Sequence, residues 1–254
     1  MRSALHAEWT KLRTVAAPAW LLLGMIAATV ALSAVATSVV TCGPSGCGGD
    51  PARTGLLGVQ LGQALAAILG VLVVSGEFSS GMFRTTLTAI PRRATVLTAK
   101  AVTLTGAVAV AATAAVLGSL LAGRLILHRR GFPAPAPALS DGPVLRATTG
   151  SILYLTLIAL LALGVAAVLR DSATSIGVVL ALLYLLPILA QAIGDPHWQR
   201  LLERTAPMSA GLTVQATTDL DSLPLSPWAG LGVTAAWAAA ALVVGGLSTA
   251  RRDI

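Results

Sequence analysis

The strongest polar features within the apolar runs of this chain are Gln60 and Gln63, inside the run from about Leu56 to Ser75. Carboxamides there either hydrogen-bond to a neighbouring helix or line a path for a polar solute. Glu77 follows where the run ends, as a headgroup-level charge or a functional carboxylate. Cys42 and Cys47 bracket a Gly/Pro stretch, CGPSGC, with no nearby His or second cysteine pair to complete a zinc site. They are read as either a disulfide facing an oxidising exterior or two free thiols. A Walker A loop needs Lys directly after Gly, whereas the two lysines, Lys11 and Lys100, follow Thr10 and Ala99. The chain therefore does not hydrolyse ATP by that route and is not expected to be an enzyme. His6, His128 and His197 fall outside the apolar runs, so neither intramembrane haem ligation nor a metalloprotease pair is available. No metal or cofactor is expected in the chain. Ion-coupled carriers place a charge at membrane depth, and none of the runs has one in its middle.

What must position these residues follows from composition. Of 254 residues, 56% are hydrophobic and 11% charged, against about 25% charged in a soluble domain. Mean hydropathy is +0.83. The fold class expected is all-α: a polytopic membrane protein of six spans, a single domain over 1–254, at about 16–40, 56–75, 101–123, 148–169, 173–193 and 228–247. An N-terminal interfacial helix is expected over 1–15, with Trp9 at headgroup depth. Ala34-Val35-Ala36 resembles a cleavage site, but the run around it is long and its start contains Glu8, which is atypical of a signal peptide. The net charge of +7 comes from basic residues scattered over loops and ends, which fits orientation in a membrane and not nucleic acid. Six spans put both termini on one side. With that side cytoplasmic, ten basic residues lie inside and seven outside, which favours cytoplasmic termini.

The second run carries Gly58, Gly62, Ala66 and Gly70 at four-residue steps, a stripe that admits a close neighbour helix. Gln63 falls at its edge, and Glu77 falls within it if the helix continues past Gly76. Arg170, Asp171 and Ser172 alone join the fourth and fifth spans, which forces a helical hairpin, and Pro187 should kink the fifth. Residues 194–226, polar and broken by Pro196, Pro207 and Pro224, cannot span, though parts can re-enter the interface. Between the second and third spans lies the charged loop 76–100. Within it Met82, Phe83, Leu87 and Ile90 recur at three- and four-residue steps and Pro91 ends the pattern, which predicts a short amphipathic helix that either docks in a partner's groove or rests on lipid headgroups.

EWTKLRT at Glu8–Thr14, GEFSSGMFRTTLTAIPRR at Gly76–Arg93 with Ala99-Lys100 after it, and the terminal RRD resemble the ABC-2 type permease subunits of actinobacterial ABC transporters, and the likeness extends along the whole chain. The resemblance implies a transmembrane subunit of the plasma membrane that dimerises with a second copy or a paralogue, lies among membrane lipid, and pairs with a separate ABC ATP-binding subunit holding ATP and Mg. It implies export of hydrophobic or amphipathic compounds, and it makes 76–100 the cytoplasmic coupling loop, with Glu77 and Phe78 at the membrane exit and Met82, Phe83, Arg84, Leu87 and Ile90 on the helix that enters the ATPase. The 194–226 segment departs from the hydrophobic re-entrant hairpin of some relatives. A different class remains beside this one: an anchor or sensor that recruits a cytoplasmic protein through the same loop without moving substrate.

Overall fold

Apolar runs cannot leave backbone N–H and C=O groups unpaired away from water, so each closes its own hydrogen bonds as a helix. The computed structural model describes residues 10, 14–40, 42–43, 46–47, 50–79, 93–129 and 141–251. In chain order its elements are α1 (Ala16–Ser38), a two-strand hairpin of β1 (Cys42–Gly43) and β2 (Gly46–Cys47), α2 (Pro51–Gly55), α3 (Val59–Ser79), α4 (Arg93–Arg129), α5 (Gly142–Leu169), α6 (Ser172–Ala192), α7 (Pro196–Thr205), α8 (Pro207–Gly211) and α9 (Pro227–Arg251). Among the described residues six helices, α1, α3, α4, α5, α6 and α9, are long and apolar enough to cross a membrane. The protein is an all-α polytopic membrane protein.

The largest departure from the expected bounds is α4, which spans 37 residues. At 1.5 Å per residue it is about 55 Å long, well beyond a hydrocarbon core of about 30 Å. Lys100 and Arg124, expected in flanking loops, are therefore helical, and the uncharged stretch between them is the expected span 101–123. Likewise α3 runs on through Glu77 and Phe78 to Ser79, and α5 begins at Gly142 and takes in Arg146. Residues 76–79 and 93–100 of the expected loop are thus helical, and 80–92 lie outside the described residues. So does the interfacial helix expected over 1–15, apart from Thr10, Thr14 and Val15.

Helix α5 is the most enclosed: it packs on α9, α3, α4 and α6, while α1 lies against α4 and α3. Small residues set these distances. A Cβ on Gly58 would fall 1.9 Å from the Thr29 carbonyl oxygen, and one on Gly62 2.3 Å from Thr29 Oγ1, so this part of the stripe faces α1. The Gly58 N–H donates to Ser33 Oγ at 3.0 Å across the same seam. Gly70 instead faces α5, where an added Cβ would meet the Ala159 oxygen at 2.3 Å. One stripe therefore serves two neighbours.

Prolines open helices here. Pro51, Pro143, Pro196 and Pro207 all sit in first turns, where a missing N–H costs nothing. Asp50 and Asp195 cap two of these helices, accepting from the N–H of Arg53 at 3.0 Å and of His197 at 2.8 Å. Between α5 and α6, Arg170 takes a left-handed conformation (φ 59°) and Asp171 caps α6 through Thr174, as the short connection requires. A π-helical turn, Ala181–Leu185, lies one residue short of Pro187, the expected site of a kink.

Candidate functional site

The segment after α6 folds back into the bundle. Trp237 lies ten residues, about 15 Å, along α9 from its start, and its Nε1 donates to the Thr205 carbonyl at 2.9 Å. Further along the segment the contacts on α9 move back toward that start. Thr234 Oγ1 donates to the Pro207 carbonyl at 3.0 Å, and Gly230 lies against Ala210 and Thr213. On α5 the order repeats: Gly211 lies on the Tyr154 ring, Val214 on Gly150, Gln215 Nε2 donates to Ser151 Oγ at 3.0 Å, and Arg146 Nη2 donates to the Ala216 carbonyl at 2.6 Å. Helix α7 therefore carries the chain in, and α8 with the 3-10 turn Leu212–Gln215 carries it out. The polar, proline-broken reading of 194–226 is corrected in part: α7 has no buried residue, but every residue from Ala206 to Ala216 other than Met208 and Ser209 is buried. Glycines at 211 and 230 permit that depth.

Two tyrosines donate to α3, and one of them is linked through Gln63 to this hairpin. Tyr154 Oη donates to Gln63 Oε1, and Gln63 Nε2 donates to Met208 Sδ at 3.1 Å. Tyr184, in the π-helical turn, donates to the Gln60 carbonyl. Gln63 is fully buried, so it joins helices, whereas the Gln60 side chain faces a cavity. That cavity, of about 650 Å³, opens between α2, the start of α3, the end of α6 and the hairpin. Arg53 and Glu203 supply opposite charges to its wall, and Gln60, Gln191 and Gln215 supply carboxamides. Sequence reading missed the tyrosines and the cavity; the signal available for the former was that a buried phenol must find a partner.

Asp50 pins the hairpin's exit. Besides capping α2 it accepts from the backbone N–H of Thr217, from Thr217 Oγ1 at 2.7 Å and from the Thr218 N–H at 3.2 Å. Burial pushes its carboxyl upward, but these donors outweigh that and hold it below the usual carboxylate value. Asp171, fully exposed, is likewise held low by the Thr174 hydroxyl and N–H.

At the other end of α3, Lys100 is 2% exposed and its Nζ donates to the Val73 carbonyl at 3.2 Å. The bond joins the two helices that bracket residues 80–92. Glu77 and Phe78 lie in the last turn of α3. Met82, Phe83, Arg84, Leu87 and Ile90 lie outside the described residues. Cys42 and Cys47 are directly opposed in the register of the β1–β2 hairpin. Among the described residues no group of three His, Cys, Asp or Glu could hold a metal.

No family model matches the sequence, and no curated protein matches it.

Proposed function

We propose that the chain is the permease subunit of an ABC exporter, forming the substrate path and driven by a separate ATP-binding subunit that holds ATP and Mg. One arrangement carries this reading: a re-entrant hairpin and an amphipathic cavity at one end of α3, and at its other end the charged segment 80–92 held between helices that Lys100 joins. A substrate compartment and a docking element at opposite ends of one helix are what a driven permease needs. In this reading both termini are cytoplasmic, Cys42 and Cys47 face outward, and Met82–Ile90 docks in the ATPase. A second copy or a paralogue completes the path, and Gln60 contributes to its wall.

The test is co-purification with an ABC ATP-binding subunit from the same organism, followed by ATP turnover in nanodiscs and ATP-driven uptake of amphipathic dyes into inside-out vesicles. Complex formation with nucleotide-dependent uptake is expected. Recruitment without movement of any compound would make the chain an anchor or sensor instead, and no recruitment would end both readings.

A further inference from the structure

We infer that the 650 Å³ cavity beside the hairpin binds a zwitterionic amphiphile: an anionic group and a primary ammonium close together at the head of an apolar tail. The volume lies within the roughly 300–1,000 Å³ of small-molecule sites. Its charges come from separate walls, Arg53 from the last turn of α2 and Glu203 from α7. Glu203 Oε1 accepts from Gln199 Nε2 at 3.2 Å, and among the described residues neither charge has an ion-pair partner. A neutral ligand would leave both charges to be desolvated without compensation, and a ligand of one sign would meet one like charge. A zwitterion answers both. The planar guanidinium fits a phosphate or carboxylate, and the carboxylate of Glu203 accepts from an ammonium.

The remaining wall fits the rest of such a molecule. Gln60 and Gln191 each offer donors and an acceptor for hydroxyl, ester or amide groups near the head. Leu57, Leu212 and the adaptable thioether side chain of Met208 offer an apolar surface for the tail. The inference deepens the export reading by giving the chemistry of what enters, yet it needs the cavity alone. Binding is therefore measured on this chain without an ATPase, and its failure is distinguishable from failure to recruit one.

The probes are three lauroyl compounds added to the chain in dodecyl maltoside and read by native mass spectrometry: lysophosphatidylethanolamine, Nε-lauroyl-lysine and lysophosphatidylglycerol. The first is a zwitterionic lipid, the second a zwitterion that is no membrane lipid, and the third carries only the anion. At least one zwitterion is expected to bind about tenfold or more tighter than the anionic compound. Preference for the first identifies a lipid headgroup as the occupant, and preference for the second identifies a soluble amphiphile. Arg53→Gln and Glu203→Gln should each erase the preference with unchanged unfolding temperature, since Arg53 is exposed and α7 buries no side chain. Equal binding of all three, or a preference that survives both substitutions, overturns the inference.

Discussion

The hydroxyl of Tyr154 donates to Oε1 of Gln63, so two side chains 91 residues apart in sequence close a buried polar contact between α5 and α3. Gln63 Nε2 extends it to Met208 on the hairpin. Removing one partner leaves a buried oxygen unsatisfied, whereas removing both does not. Tyr154→Phe should therefore lower stability by about 1 kcal/mol, and Tyr154→Phe combined with Gln63→Leu should cost less than the sum of the single changes. Thermal unfolding of the four proteins in one detergent measures the cycle, and strict additivity would mean the contact carries no coupling.

The hairpin's depth depends on Gly230. A Cβ there would lie 2.0 Å from the Ala210 carbonyl oxygen, a backbone atom that cannot swing aside, whereas one on Gly232 would meet nothing within 4 Å. Gly230→Val should force α8 outward at a cost of about 1–3 kcal/mol, and Gly232→Val should not. In a background with Cys42 and Cys47 changed to Ser, a cysteine placed at Ser209 should react faster with a water-soluble maleimide only in the Gly230 variant.

The six spans were legible because apolar runs of about twenty residues leave a chain few other structures. The start of α4 was not. Arg93 to Lys100 reads as loop by charge, yet Val96, Ala99 and Lys100 are buried, the last because its aliphatic stem lies along α3 while its ammonium reaches a carbonyl. Prolines misled for a related reason: read as breaks within 194–226, Pro196 and Pro207 open α7 and α8, and Asp195-Pro196 is a cap followed by a first turn. Gly58, Gly62 and Gly70 stood out by regular spacing. Gly150 and Gly164, whose partners are Val214 and the α9 backbone at Ala241, have no such spacing, and only the fold brings those partners close.

Asp50 gives the hairpin a pH dependence. Its carboxyl titrates below its ordinary value of 3.8 because the charged form is bonded by Thr217, Arg53 and Thr218. A depressed carboxylate stabilises the fold fully above the unfolded value, and that contribution is lost as pH falls through the lower folded value. The unfolding temperature should therefore fall below pH 3.8 by more in the native chain than in Asp50→Asn. At neutral pH the substitution should cost about 1 kcal/mol, reduced by the partial exposure of the site. Parallel pH profiles for the two proteins would show that the Asp50 contacts do not hold the hairpin.

The bond from Lys100 to the Val73 carbonyl predicts how residues 80–92 report to the bundle. It joins α4 near its start to α3 near its end, so any force on the intervening segment reaches both helices at that point. Lys100→Met keeps a long apolar stem and removes the ammonium, while Lys100→Arg keeps a donor. The first should leave insertion intact but speed hydrogen exchange of the Gly76–Ser79 amides, and the second should restore slow exchange. In complex with the proposed ATPase, Lys100→Met should uncouple turnover from substrate while pull-down stays normal. Phe83→Ala should do the reverse, weakening pull-down by about 2 kcal/mol, or roughly thirtyfold, if that ring is the docking anchor. Glu77→Gln, in the last turn of α3, should follow Lys100→Met in lowering turnover more than assembly. Normal exchange and turnover in Lys100→Met, with normal pull-down in Phe83→Ala, would leave 80–92 as a connection between spans and remove the coupling role from it.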